Sequence, residues 1–471
     1  MFNDPRLCDA IVRILPESNT SVRAVPPASE LSNASQEHDD EGESSSSSGS
    51  GGQGVAFLVV SAVVRAESEF FERAFTSWTD DITITKEVDV KLPREKFSAC
   101  EILLRFMHDK QLPSLTFASL FVLIELADQF LARNCLSEVC GKLAEFDFED
   151  TSVSEALDVL LISGRPSLVL QPAMRLAKEK ALFVFLEKFG DLEEIAQEKE
   201  LLDSFLALPR PVVAELLGHE EVSSLSENTV FYLATLWLHH NHRDSPPSSE
   251  EYYRAAMEIG NAIRFPMMSF NYILHWVPQV RWIKDFHATS KFWLREATSH
   301  KLARECLDLR RKEKRFLPRT KGTTKNELVW KIPTAKIRNN VDYVDESENK
   351  FFGGYLFQVG VSKEGKLNSM DRFLSTGFCV HPPWPSLNAC NALLSKGECL
   401  QVRCSCKLKA RKFNANAESK EMASNEMWDI GLWYEWPNFF GESVDKVIRD
   451  QSPYVDSEGQ LQFIMTIDDV E

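Results

Sequence analysis

The chain has 471 residues, 44% hydrophobic and 10% aromatic, which is enough for roughly two to four cores, so several domains are expected. Its 70 acidic against 53 basic residues give a formal charge of -17, which repels phosphate backbones and anionic lipid and argues against direct nucleic-acid binding. No apolar run reaches the roughly 18 residues of a membrane span, and Met1 to Arg6 reads as neither signal nor transit peptide; a cytoplasmic and/or nuclear protein without membrane contact is expected, its ten cysteines free of disulfides.

In chain order, Leu7 to Ile14 alternates enough to predict an opening strand. Residues 17–53 then form an insert with Pro26-Pro27, the acidic group Glu37, Asp39, Asp40, Glu41 and Glu43, and serines 44–48 ahead of glycines. Such a composition buries too little apolar surface to offset chain entropy, so a disordered loop is expected, either a plain solvated linker or a tether phosphorylated on its serines. Val55 to Val60 predicts a strand, and Phe70, Phe71, Ala74 and Phe75 fall at helical spacing within a helix over 66–75. Val88 to Pro93 alternates like an extended edge segment. Wide apolar stripes then predict helices through Cys100 to Met107, Leu120 to Leu131 and Leu136 to Leu143.

From Thr151 to about His300 the pattern is helical, with Ser154 to Leu161 and Met174 to Phe189 suggesting paired antiparallel helices and Pro209, Pro211, Pro246, Pro247 and Pro266 bounding others. A basic stretch follows, Arg310-Arg311-Lys312-Glu313-Lys314-Arg315 with Arg319, Lys321 and Lys325; it reads as a solvated helix end and linker, or as a nuclear localisation patch. Beyond Leu328 the period becomes two. Val402, Cys404, Cys406, Leu408 and Ala410 alternate with Gln401, Arg403, Ser405, Lys407, Lys409 and Arg411, and Tyr355 to Ser362 and Leu461 to Ile467 behave alike, which suggests an antiparallel sandwich.

Chemistry is sparse in this sequence. Cys404 and Cys406, with Cys379, Cys390 and Cys399, invite a zinc reading, but residues two apart on a strand share a side, and here that side also carries Val402 and Leu408. Buried inert thiols are expected, and no metal or cofactor. His239, His240 and His242 end an apolar helix, where its dipole would satisfy them. A nucleophile elbow, phosphate loop, zinc-protease helix and dinucleotide fingerprint are all missing, so no enzyme is expected.

Ala62 to Phe75 resembles the first helical hairpin of the BTB/POZ family, and Leu103 to Met107 and Leu126 to Leu131 are similar to its later helix signatures. Ser226 to Leu238 and Ile263 to Ser269, with Arg264-Phe265-Pro266, resemble the BACK domain, and Met427 to Phe440 with Tyr454 to Ile467 resemble part of a TRAF/MATH-type domain. The resemblance implies a multidomain α+β chain: an α/β BTB domain over 1–148, an all-helical BACK domain over 150–300, a basic linker over 301–326 and an antiparallel β-sandwich over 327–471. It further implies a homodimer that serves as the substrate adaptor of a cullin-RING ubiquitin ligase, with the sandwich capturing a protein substrate; the alternative is a scaffold or transcriptional co-regulator without a cullin. Trp78, Asp80 and Asp81 take the family's cullin-contact position, although Asp80 stands where Glu is usual and Trp78 has a second reading, folded back on its own domain. Asp9, Val63 and Val64 take the dimerisation positions. Val60 and Ser61 replace the family's His and basic residue, which would deprive Asp9 of its partner and weaken the repressor reading.

Overall fold

The computed structural model describes residues 2–17, 54–76, 86–148, 151–302, 319, 326–340, 343–365, 372–382, 401–413, 420–430, 432–449 and 451–470. Apart from Glu17, the insert 17–53 lies outside them. The chain mixes helices with sheets and divides into two units, one of Met1–Thr151 with Asp158–Ala181, the other of Ser152–Leu157 with Leu182–Glu471.

In the first unit, β1 (Ala10–Pro16) is flanked by antiparallel β2 (Val55–Val59) and parallel β3 (Lys86–Leu92). Ala10, Val12 and Ile14 point inward with Val88, Val90 and Leu92, while Arg13 faces outward within 3.3 Å of Asp89. β3 is the edge that the alternation predicts. The opening strand begins at Ala10 rather than Leu7, because the Asp4 carbonyl accepts from the amides of Leu7 and Cys8 and closes a turn first. The single helix expected over 66–75 is two, Ser61–Glu67 and Glu69–Thr76. Ser68 makes the break: its buried hydroxyl donates to the Phe130 carbonyl at 2.6 Å and accepts from the Phe71 amide at 3.2 Å, so it caps the second helix.

Helices Phe97–Asp109, Phe117–Gln129 and Arg133–Glu145 complete the body, with Leu103, Leu104, Leu123, Ile124 and Val139 fully buried. Burial of each such side chain contributes about 1.5–3 kcal/mol. Lys180 belongs with this unit: its Nζ donates to the carbonyls of Ala144 (2.7 Å) and Phe146 (3.1 Å), where a cation satisfies a helix C-terminus.

The second unit joins a helical layer to antiparallel sheets. Its helices include Leu192–Gln197, Arg210–Gly218, Glu227–His242, Glu250–Ala262 and His287–Leu302. The strands are β4 (Glu327–Pro333), β5 (Val344–Glu346), β6 (Lys350–Phe352), β7 (Tyr355–Gly365), β8 (Arg372–His381), β9 (Gln401–Ala410), β10 (Lys420–Asp429), β11 (Trp433–Trp436) and β12 (Gln460–Val470). One sheet runs β10-β9-β12-β4 and the other β11-β8-β7-β5, with β6 also on β7. All their pairings are antiparallel. Phe378 of β8 meets Trp428 of β10 edge-on at 4.8 Å, one of the contacts between the two sheets. Cys404 and Cys406 are buried on the side of Val402 and Leu408.

Candidate functional site

The first unit gathers the residues around Asp9. Its carboxylate accepts from both the amide and the hydroxyl of Ser61, each at 2.6 Å, at the start of the helix Ser61–Glu67. Asp9 therefore does have a partner, correcting the expectation that losing the basic residue would strand it; a serine at a helix N-terminus supplies two donors instead. Desolvation pushes this carboxyl up, but the Ser61 hydroxyl and amide outweigh it and hold the group below the usual carboxylate range. Val60 donates its amide to His108 Nε2 at 3.1 Å while Nδ1 lies 2.8 Å from the Leu104 carbonyl, which assigns the ring proton to Nδ1.

Val63 is half-buried, but Val64 is fully buried and cannot meet a second chain. That corrects its assignment as a dimer contact: on the short helix its side chain faces the core. Trp78, Asp80 and Asp81 lie outside the described residues. The exposed apolar surface of this unit includes Leu161, Val169 and Leu176 on helices Val153–Ser163, Pro166–Val169 and Pro172–Phe189, with Leu170, which follows the second of these, 86% exposed.

In the second unit the helix Glu227–His242 is the organising element. Ser226 caps it by accepting from the Asn228 amide at 3.2 Å. Glu227 forms a buried ion pair with Arg319, whose Nε and Nη2 reach Oε2 and Oε1 at 2.9 and 3.1 Å. The same guanidinium donates to the carbonyls of Leu217 (2.6 Å), His219 (3.0 Å) and Ala262 (3.3 Å), and the Arg264 amide donates to Glu227 Oε1 at 2.7 Å. Arg319 is thus a buried anchor, which corrects its reading as part of a solvated linker or an exposed localisation patch. The rest of that stretch, 310–315 with Lys321 and Lys325, lies outside the described residues.

The next residue, Asn228, donates to Ser269 Oγ and the Gly353 carbonyl, both at 3.2 Å, and accepts from the Ser269 amide at 3.1 Å. Gly353 and Gly354 form the two-residue turn between β6 and β7 with positive φ at both, 55° and 91°. A side chain at Gly354 would run into the Asn228 Cβ, so this tight turn docks the sheet on the helix. Glu193 receives the Gly353 amide at 3.1 Å, the Thr229 hydroxyl at 2.6 Å and the Leu225 amide at 3.2 Å. Burial pushes its carboxyl up to about 7 despite these donors.

Beside the cap lies a cleft of about 540 Å³ whose walls include Phe270 and Lys301 from the helical layer and Arg403 and Met427 from β9 and β10. Among the described residues that line it, Glu227 is the one carboxylate, beside Lys301, Arg319 and Arg403. The histidines expected to rest on the helix dipole divide: His239 and His240 are exposed, whereas His242 is buried between Trp237 and Tyr252, with ring centroids 5.8 and 5.6 Å away. Desolvation lowers the pKa of His242, which favours the neutral ring and corrects the dipole account for this residue. No group of three or more His, Cys, Asp or Glu that could hold a metal ion occurs among the described residues, nor does any helix long and apolar enough to cross a membrane.

Sequence reading missed Arg319 as an anchor, Glu193 and the Gly353-Gly354 turn. Only the last carried a local signal, a Gly-Gly pair between two apolar runs. No family model matches the chain, and no curated protein sequence matches it. Among solved structures, the chain is similar to Notothenia coriiceps TRAF5 at 15% sequence identity and a TM-score of 0.21, over 40% of this chain and 85% of that one.

Proposed function

We propose that the chain is a non-catalytic, dimeric substrate adaptor of a cullin-RING ubiquitin ligase in the cytoplasm or nucleus. In this reading the first unit is a BTB/POZ domain that dimerises and holds the cullin, the helices that follow are a BACK domain, and the C-terminal sheets are a TRAF/MATH-like substrate module. The observation that carries it is the separation of two compact units, an α/β unit with an exposed apolar surface at Val169, Leu170 and Leu176 and a second unit with an open cleft. Two binding surfaces on separate bodies suit a protein that brings two partners together.

Trp78, Asp80 and Asp81 are proposed as the cullin contact, and Asp9 and Val63, without Val64, as positions near the dimer face. Loss of an aromatic anchor at an interface costs about 2 kcal/mol, so Trp78→Ala should weaken cullin binding roughly thirtyfold in titration calorimetry with the full chain. Asp80→Lys should weaken it through charge reversal. No binding by the natural chain would sink the adaptor reading and favour a scaffold or transcriptional co-regulator. An unchanged affinity in Trp78→Ala would move the contact elsewhere on the unit.

A further inference from the structure

A second cavity, of about 370 Å³, lies within the second unit. The connector 207–209, the start of the helix Arg210–Gly218, the end of Glu227–His242 and Glu251 in the first turn of Glu250–Ala262 line it. His242 is 9% exposed and lines this cavity, yet neither of its ring nitrogens has a hydrogen-bond partner among the described residues. Packing alone fixes the ring, between Trp237 and Tyr252, and Tyr252 is held in turn by its hydroxyl 3.3 Å from Asp285 Oδ2. Leaving a buried polar side chain unpaired is costly, so an imidazole held this way at a cavity wall points to a ligand that enters the cavity.

The polar groups around His242 are mostly acceptors. Asn241 spends both donors of Nδ2 on the carbonyls of Leu206 (3.0 Å) and Trp237 (3.1 Å), which leaves Oδ1 to accept. Glu251 makes no hydrogen bond or ion pair among the described residues. Desolvation keeps the His242 ring neutral, with one bare nitrogen. Glu251 and Arg210 are the two charges that act on that ring, and Arg210 already has its Nε 2.9 Å from Glu258 Oε2. Glu251 is therefore the charge at the cavity without a counter-ion. The remaining wall is apolar: Leu208, Pro209 and Pro211, with Trp237, whose indole N–H is spent on the Leu208 carbonyl at 2.9 Å.

We infer that this cavity binds the primary ammonium of an aliphatic amine, either a lysine side chain or a free diamine. An ammonium has three donors and no acceptor, which matches the Glu251 carboxylate, Asn241 Oδ1 and the bare nitrogen of His242. Its methylene stem can lie along Leu208 and the two prolines while the charged head stays among the acceptors. A carboxylate ligand would meet Glu251 and Asn241 Oδ1, and the one cation it could seek is already paired with Glu258. A guanidinium brings five donors, more than these three groups can satisfy in one plane. The inference does not depend on the adaptor reading.

The test is titration calorimetry of the full chain with Nα-acetyl-lysine N-methylamide and with cadaverine at fixed ionic strength. Binding of either supports the inference, and the tighter of the two identifies the source of the amine. Nα-acetyl-norleucine N-methylamide keeps the stem and lacks the ammonium, so it should bind at least about tenfold more weakly, the worth of one charged hydrogen bond. Glu251→Gln should lower the affinity for the amine by a similar factor with the thermal midpoint unchanged. His242→Phe retains the ring packing against Trp237 and Tyr252, removes the acceptor and should also weaken binding. Glu251 is exposed, so its variant keeps the test open if His242→Phe fails to fold. No binding of either amine at millimolar concentration, equal binding of the norleucine compound, tighter binding of Nα-acetylglycine through its carboxylate, or unchanged affinity in Glu251→Gln would overturn the inference.

Discussion

Arg319→Ala removes one side chain and strands a second. It abolishes the two bonds to Glu227 and three to carbonyls of Leu217, His219 and Ala262, leaving a buried carboxylate that still accepts from the Arg264 amide at 2.7 Å but has lost its guanidinium. Breaking a buried ion pair from one side costs about 3–5 kcal/mol, because the surviving charge stays desolvated and unpaired. Removing both charges costs less, so Arg319→Met with Glu227→Gln should recover much of the loss. Urea unfolding followed by tryptophan emission suits the question, since nine of the ten tryptophans lie beyond residue 181 and report the second unit. A midpoint unchanged in Arg319→Ala, or a double variant no more stable than Arg319→Ala, would refute the anchor.

Glu193→Gln should flatten the pH dependence of second-unit stability between about 4.5 and 7. The folded carboxyl is raised, so in that window the folded state holds a proton that the unfolded state has released, and stability falls as pH rises, by an amount on the order of 3 kcal/mol; an equal slope in the variant, followed by the same tryptophan signal, sinks the assignment. Val64→Ala should destabilise the first unit by about 2 kcal/mol, with faster hydrogen exchange in Phe97–Asp109, and leave the mass in light scattering unchanged. A change in mass without loss of protection would restore Val64 as a dimer contact.

Much of the fold was legible because its elements are decided locally. The period of two over Gln401 to Ala410 reappears as strict alternation of exposure in β9, and the stripe through Cys100, Leu103, Leu104 and Met107 is the buried side of Phe97–Asp109. Where tertiary partners decide, the sequence was silent. Ser68 interrupts a run that reads as one helix, because its hydroxyl is needed by the Phe130 carbonyl, 62 positions away. The Glu227–Arg319 pair spans 92 positions and the Glu193–Gly353 bond 160, and no spacing rule links residues so far apart.

The two arginines of the cleft show why charge was legible in one place and hidden in another. Arg319 sits among basic neighbours, and clustering of like charge ordinarily marks a solvated segment. Yet four acceptors, the Glu227 carboxylate and three carbonyls, converge on this one position, and a planar guanidinium with five donors can satisfy them where a lysine could not. Arg403 carries the same group on a strand whose period of two already sets it on the wet side, so its exposure followed from sequence alone. Burial consumes the first cation in holding the helix Glu227–His242, and the second lies on the cleft wall beside Met427, its neighbour in strand register. Whether a basic residue ends up exposed or buried is therefore set by strand register and by converging acceptors, not by how closely basic residues cluster along the linear sequence.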